Sequence, residues 1–284
     1  MKKLPNEVRY QMLRPGELLK RREACPVVYI PIGTLEWHGL HDPLGTDTLQ
    51  AEYLSDLCAK LGGGLVFPPL YYGECRTEGL MESTAEDRCE IAREMQLPPD
   101  NFNPERFLFS EAEQNEHYQQ LLIHILNQAE TLGFEVAVLM AGHYPLVDHA
   151  RAAALVYNRH RRRAGKMLAW ATLDFLYLLE KYDYAGDHAA GWETSHCLAI
   201  DPTLVDLSAL KPKGERLVGV NGKMTPHDAT AEFGEKIFNE AAEAIVKETL
   251  HRLENKDFYK QHGRALLEKQ WMKETGKNSG LYSS

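Results

Sequence analysis

Residues 27–50, VVYIPIGTLEWHGLHDPLGTDTLQ, decide how the chain is read. The first six, Val27 to Ile32, are apolar apart from one tyrosine and one proline, and they read as a buried strand. The twelve residues 36–47 then release Glu36, His38, His41, Asp42 and Asp47, with glycines at 33, 39 and 45 around them. Glycine lets the backbone turn tightly enough to aim those side chains at one point. Carboxylates and imidazoles crowded at the end of a buried strand are what a divalent metal site needs. Residues 46–61 then carry Leu49, Tyr53, Leu54, Leu57 and Leu61 at helix spacing, with Thr46 as N-cap and Gly62 as the stop. The unit is strand, polar loop, helix.

Outward from that unit, strands and helices alternate. Residues 64–72, GLVFPPLYY, read as a second strand interrupted by a proline pair. Residues 74–108 are irregular, contain an acidic helix candidate, STAEDRCEIAREM, and are expected to form an insertion or lid. Residues 111–132 predict an amphipathic helix, with Tyr118, Leu121, Leu122, Ile125 and Leu126 on one face and Gly133 ending it. A third strand runs from Glu135 to His143, and Pro145 opens the next helix, where proline is favoured. Residues 166–175 are a fourth strand. Residues 228–255 are a long helix, with Phe233, Ile237, Ala241 and Ile245 spaced by four. This order predicts an α/β sandwich with a mainly parallel sheet. In such sheets, sites gather at the carboxyl ends of strands, where the 36–47 loop and His143 both fall.

Composition narrows the function. The 284 residues are 44% hydrophobic and 26% charged, ordinary for a soluble globular chain. A net charge of -9 argues against a nucleic-acid or anionic-membrane surface. No run of about 18 apolar residues is present, so no membrane span is expected. The stretch MKKLPNEVRYQMLRP lacks the apolar run of a signal peptide. Five cysteines, odd in number and without a CxxC pair, fit a reduced, cytoplasmic chain.

Three clusters carry the chemistry. Glu36 and His38 flank Trp37, so in an extended loop they point the same way. Asp47 stands where a helix begins, and reads either as a cap or as a ligand bridging two cations. His41 reads as a ligand or as a partner that orients one. His143 ends the apolar third strand after a glycine, at the sheet's carboxyl edge. The last cluster, Asp187-His188-Ala189-Ala190-Gly191-Trp192-Glu193-Thr194-Ser195, sets an imidazole between two acids among small residues. His188, with Asp187 behind it, suits a proton shuttle. Glu193 is either a metal ligand or the holder of the attacking water, and Thr194 and Ser195 alternatively cap a helix.

Glu36-Trp37-His38-Gly39-Leu40-His41, followed by Pro43-Leu44-Gly45-Thr46-Asp47-Thr48, resembles the E-x-H-G-x-H-x-P-x-G-T-D signature of the creatininase (creatinine amidohydrolase) family. Gly142-His143 resembles that family's N-G-H motif, and His188 through Ser195 its H-A-G-x-x-E-T-S motif. The resemblance implies a single hydrolase domain of three-layer α/β/α architecture, a centre of one or two Zn, Mn or Fe ions (Zn first), and a homo-oligomer, commonly a hexamer. Carried over by position, Glu36, His38, Asp47 and His143 are metal ligands with Asp47 the bridge, and His188 is the acid/base. Three positions depart from the pattern: Ala141 replaces the asparagine of N-G-H, Ala190 a glycine of H-A-G, and Pro145 the glutamate that binds creatininase's second metal. A second metal then uses Glu193 or is absent.

The function expected is a metal-dependent hydrolase that opens a small polar ring, such as a cyclic amide, by attack of metal-bound hydroxide. Trp192 and the 74–108 segment are expected to line the pocket. The same centre would serve a carbon–carbon hydrolase of a cyclic 1,3-diketone such as an oxidised inositol. The alternative of another class is a metabolite-binding protein that kept the fold and lost the chemistry.

Overall fold

The computed structural model describes residues 7–73, 75, 87–161, 165 and 167–260. Of the segment expected to be an insertion or lid, residues 74 and 76–86 lie outside the described residues, as does the tail beyond 260. Four parallel strands form one sheet in the order β2-β1-β3-β4. They are β1 (Val27–Ile32), β2 (Leu65–Val66), β3 (Val136–Ala141) and β4 (Leu168–Leu173). Every residue of β1 and β3 is buried, the mark of a parallel sheet covered on both faces.

The period-2 alternation of each strand divides the core. Val27, Tyr29, Val136, Val138 and Met140 face one layer, with Leu54 of α2 (Thr46–Gly62) and Ile237, Ala241 and Ile245 of α7 (Ala231–Glu254). Val28, Ile30, Ile32, Ala137 and Leu139 face the other, with Leu122 and Leu126 of α4 (Glu111–Thr131) and Val147 and Ala150 of α5 (Tyr144–Arg161). Each large aliphatic side chain so buried contributes roughly 1.5–3 kcal/mol. Among the described residues the remaining α-helices are α1 (Pro15–Ala24), α3 (Arg88–Glu94), α6 (Gly191–Ile200) and α8 (Lys256–Lys260). The architecture is the expected α/β sandwich.

Several local expectations change. β2 is only two residues long, because Pro68 and Pro69 lack the amide protons a longer strand would need. The edge resumes briefly where the Leu70 amide donates to the Pro31 carbonyl. Gly45, not Thr46, is the N-cap of α2, and the Thr46 hydroxyl instead donates to the Pro43 carbonyl at 2.7 Å. α5 begins at Tyr144, one residue before the proline expected to open it. Leu121 of α4 is exposed, while Ala129 joins the buried stripe, so the apolar face is narrower than the sequence pattern suggests. Ser110 and Glu113 cap that helix reciprocally.

The strand register sets the site. Ile32 of β1 pairs with Ala141 of β3, which pairs with Leu173 of β4. All three strands therefore release their chains at the same edge, delivering the 33–45 loop, His143 and Asp174. Gly142 is where β3 meets the first turn of α2, and a Cβ there would overlap the Asp47 carbonyl oxygen. Gly142→Ala is expected to lower unfolding stability by about 3 kcal/mol or more, read from urea melts. A Gly142→Ala protein as stable as the parent would show that this close approach is not needed.

Candidate metal centre

The loop after β1 sends Glu36 and His38 to one side of the backbone and Trp37 to the other. Trp37 packs with Ile91, Ala92 and Phe102, and its indole N–H donates to the Val218 carbonyl at 2.9 Å. The described part of the 74–108 segment thus buttresses Trp37, and none of its residues lines the cavity over the site. Gly39 turns the loop with φ of 71°, a conformation that favours glycine. Asp47 does not cap α2. It sits in the first turn, almost fully buried, with Oδ1 3.2 Å from His38 Nε2 and Oδ2 3.4 Å from His143 Nδ1.

Around Asp47 the polar groups form two sets that share it. Glu36 Oε2 lies 3.0 Å from His143 Nδ1, closing a Glu36–Asp47–His143 cluster. Glu193 Oε2 lies 3.3 Å from His38 Nε2, closing a His38–Asp47–Glu193 cluster. A third grouping joins Glu36, His38 and His188. Glu193 comes from α6 and approaches on the His38 side, whereas Pro145 lines the cavity without offering a ligand atom. His41 and Asp42 are absent from all three groupings.

The donors suit a cation. His38 Nδ1 lies 3.1 Å from the Glu36 carbonyl, so it carries the proton and donates it there. Nε2 is thereby left to face two carboxylates, the tautomer a ligating histidine adopts. Buried His38 Nε2 and Asp47 Oδ2 make no hydrogen bond of acceptable geometry. Burial pushes the His38 imidazole down, but the Asp47 and Glu193 carboxylates overcome this and hold it well above its ordinary value. His143 behaves the same way beside Glu36 and Asp47. Burial pushes Asp47 up, and His38 and His143 more than reverse it, leaving it below the usual carboxylate range. A buried cluster that draws protons onto its imidazoles is one whose electrostatics call for positive charge. Divalent ions supply that charge and would take these same lone pairs.

His188 is held by its backbone and its ring. Its amide and carbonyl exchange hydrogen bonds with Asn221, and Nε2 donates to the Trp37 carbonyl at 2.8 Å. Its other nitrogen, Nδ1, faces inward, 3.9 Å from Glu36 Oε2. Asp187 is not behind His188 as a relay. Its carboxylate accepts from the Trp192 and Glu193 amides at 2.7 and 3.1 Å, and so caps α6. Thr194 and Ser195 are therefore not the caps. Ala189 adopts a left-handed φ of 53°, which turns its amide onto Glu193 Oε2 at 2.8 Å. Ala190, where the family pattern has glycine, has a φ of -104° that any residue adopts.

His41 and Asp42 tie the loop to α6. His41 Nε2 donates to the Ala189 carbonyl at 3.0 Å, and the Thr194 hydroxyl donates to Asp42 at 2.8 Å. Trp192 is buried, its indole N–H donating to Asp174 at 2.9 Å, and it lines a small recess beside Glu193 rather than the large cavity. The cavity above the cluster encloses about 790 Å³, with Glu36, Asp47, His143, His188 and Glu193 in its wall. Tyr144 stacks on Phe175 at its side with ring centroids 6.0 Å apart. Sequence reasoning missed Gln50, His196 and Asp174. Gln50 and His196 were signalled by position, each three residues along a helix from a candidate ligand and so on the same face.

The fold and the clustered side chains define an α/β protein with a buried group of residues able to hold a metal ion. The creatinine amidohydrolase profile matches residues 12–96 and 103–249, and the chain belongs to the creatininase family. A manganese form of creatininase shares the fold, with a TM-score of 0.59 and 20% identity over 87% of this chain and 99% of that one. So does a glutamate-to-glutamine creatininase variant of Zn–Zn type, with a TM-score of 0.61 and 21% identity over 87% and 98%. A 69-residue stretch, 24% of this chain, is 30% identical to a 3-dehydro-scyllo-inosose hydrolase of Thermotoga maritima, and spans 22% of that relative's length. Among the described residues no helix is long and apolar enough to cross a membrane.

Burial pushes Asp174 from 3.8 up to about 6, partly offset by the Trp192 indole N–H. The folded state then binds a proton more tightly than the unfolded state. Wild-type stability should fall by about 3 kcal/mol in all as pH rises from about 3 to about 7, with about 2 kcal/mol of that lost between about pH 4 and about pH 6, relative to Asp174→Asn. Urea melts of both proteins across that range check this. A difference independent of pH would refute it.

Proposed function

We propose that the protein is a metal-dependent hydrolase that opens a small polar ring at the carbonyl carbon of a cyclic amide. The carrying observation is Asp47, whose two oxygens face different histidines. Glu36, Asp47 and His143 would hold one ion, and His38, Asp47 and Glu193 a second, with Asp47 between them. When bound, such ions supply Lewis-acid polarisation of a carbonyl and a water acidic enough to attack it at neutral pH. Zn or Mn fits the mixed nitrogen and oxygen donors, and solved creatininases of both kinds share the fold.

The protein's own residues supply orientation and proton transfer. Trp37 fixes the His188 tautomer through Nε2, so the neutral ring presents the Nδ1 lone pair toward the cluster. Nδ1 takes the proton released when water adds to the carbonyl, and returns it to the ring nitrogen as the carbon–nitrogen bond breaks. Tyr144 and Phe175 give the cavity an apolar flank against which a flat ring can rest.

A second reading is supported by the inosose-hydrolase likeness and by Pro145, which places no carboxylate in that wall. The same groups would cleave a carbon–carbon bond of a cyclic 1,3-diketone, with His188 protonating the departing enolate carbon. A substrate screen separates the two. Both give a new carboxylate, but only an amide releases a new amine or ureido group.

Asp47→Ala removes the residue common to both ligand sets. It is expected to bring bound metal to background by elemental analysis and to abolish turnover. An Asp47→Ala protein that is metal-free and still active would sink the proposal.

A further inference from the structure

One side-chain amide touches both halves of the site. Gln50 lies one turn beyond Asp47 on α2, and is buried. Its Nε2 donates to Glu193 Oε1 at 3.0 Å and to the Gly142 carbonyl at 2.7 Å, just ahead of His143. Its Oε1 lies 2.8 Å from His196 Nδ1. We infer that Gln50 is a positioning residue whose amide sets the Glu193 carboxylate and the backbone before His143 for metal binding, with His196 keying the direction of that amide. The inference rests on the metal-centre reading proposed above.

The hydrogen-bond count fixes the arrangement. A carboxylate and a carbonyl accept only, so both Nε2 protons must point at Glu193 and Gly142. Oε1 must then point at His196, which requires the proton on His196 Nδ1. Burial pushes the His196 imidazole down to about 3, so the ring stays neutral. The ring also stacks on Phe238 of α7 at a centroid distance of 3.9 Å, so it cannot swing away without breaking a core contact. A flipped amide would set Oε1 against two acceptors and its protons against a donor.

The Glu193 carboxylate is thereby oriented at both oxygens. Ala189 donates to Oε2, the oxygen 3.3 Å from His38 Nε2, and Gln50 donates to Oε1. Without Gln50, Oε1 loses this donor and the carboxylate is restrained at one oxygen only, by Ala189, so its plane is less well fixed. The carboxylate plane, and not merely its presence, decides whether a lone pair faces the cation.

The test is a calorimetric titration of Mn²⁺ or Zn²⁺ into metal-free protein, with circular dichroism to confirm folding. Wild type, Gln50→Met, His196→Leu and His196→Asn are compared. Gln50→Met keeps the length and removes the donors. The asparagine at 196 keeps an N–H near the Nδ1 position, and the leucine does not. Folded Gln50→Met should bind its weakest ion about 10–100-fold less tightly than wild type. His196→Leu should weaken in the same direction, and His196→Asn should restore most of the affinity. Unchanged affinity in folded Gln50→Met overturns the role of Gln50 and leaves the metal centre standing. If Gln50→Met does not fold, the 196 pair decides, and equal affinities in Leu and Asn overturn it. A wild-type protein that binds no metal overturns both readings.

Discussion

Three carboxylates, Glu36, Asp47 and Glu193, are buried within one cluster, and the charges they face are imidazoles. Burying one carboxylate without a partner is costly, and burying three together is costlier because they repel. The surrounding structure is arranged to tolerate this. The Trp37, Glu36 and Ala189 carbonyls orient imidazoles through their outer nitrogens, and the Ala189 amide and Gln50 orient a carboxylate. His38, His188 and Glu193, which point at the centre, are each held from behind by a hydrogen bond. That concentration of buried negative charge is the electrostatic setting a cation would complete.

The sheet explains why those charges meet where they do. Parallel pairing with β1, β3 and β4 ending level brings three loops to one edge, and α2 starts at the same edge with Asp47 in its first turn. Helix α6 enters from the side, capped by Asp187 and tied to the first loop by His41 and Asp42. The residues of the central cluster are supported by positions whose task is purely geometric. Asp187 belongs to that group, although its place in the motif suggested a proton relay.

Much of this was legible in the sequence because the strands next to the site are buried on both faces. An unbroken apolar run such as Val136 to Ala141 has few other readings, and a glycine-histidine pair at its end can only fall at the sheet edge. The loop ligands were legible because Glu36 and His38 alternate around Trp37. What was not legible depended on partners distant along the chain or on the direction the backbone takes. The buttress under Trp37 comes from residues 91–102 and Val218, so the segment read as a lid proved to be support where it is described. Asp187 read as a relay because it precedes His188, yet backbone direction turns it toward the amides of α6 instead. The shortness of β2 was signalled by its prolines, while Leu121 was misplaced because a helix stripe read from sequence does not show how wide the facing sheet is.

The parallel order of the sheet also governs when the site comes into being. Val27 pairs with Val136, and Gln50 meets Glu193, across loops that a folding chain must close before either contact returns any stability. Such non-local pairing slows folding, and it means that no short segment of the chain holds the full ligand set. The 33–45 loop can gather Glu36 and His38 early, but Asp47 acquires its second histidine only once β3 has docked. Glu193 arrives only with α6. The buried charge cluster is therefore complete only when β1, α2, β3 and α6 have all come together.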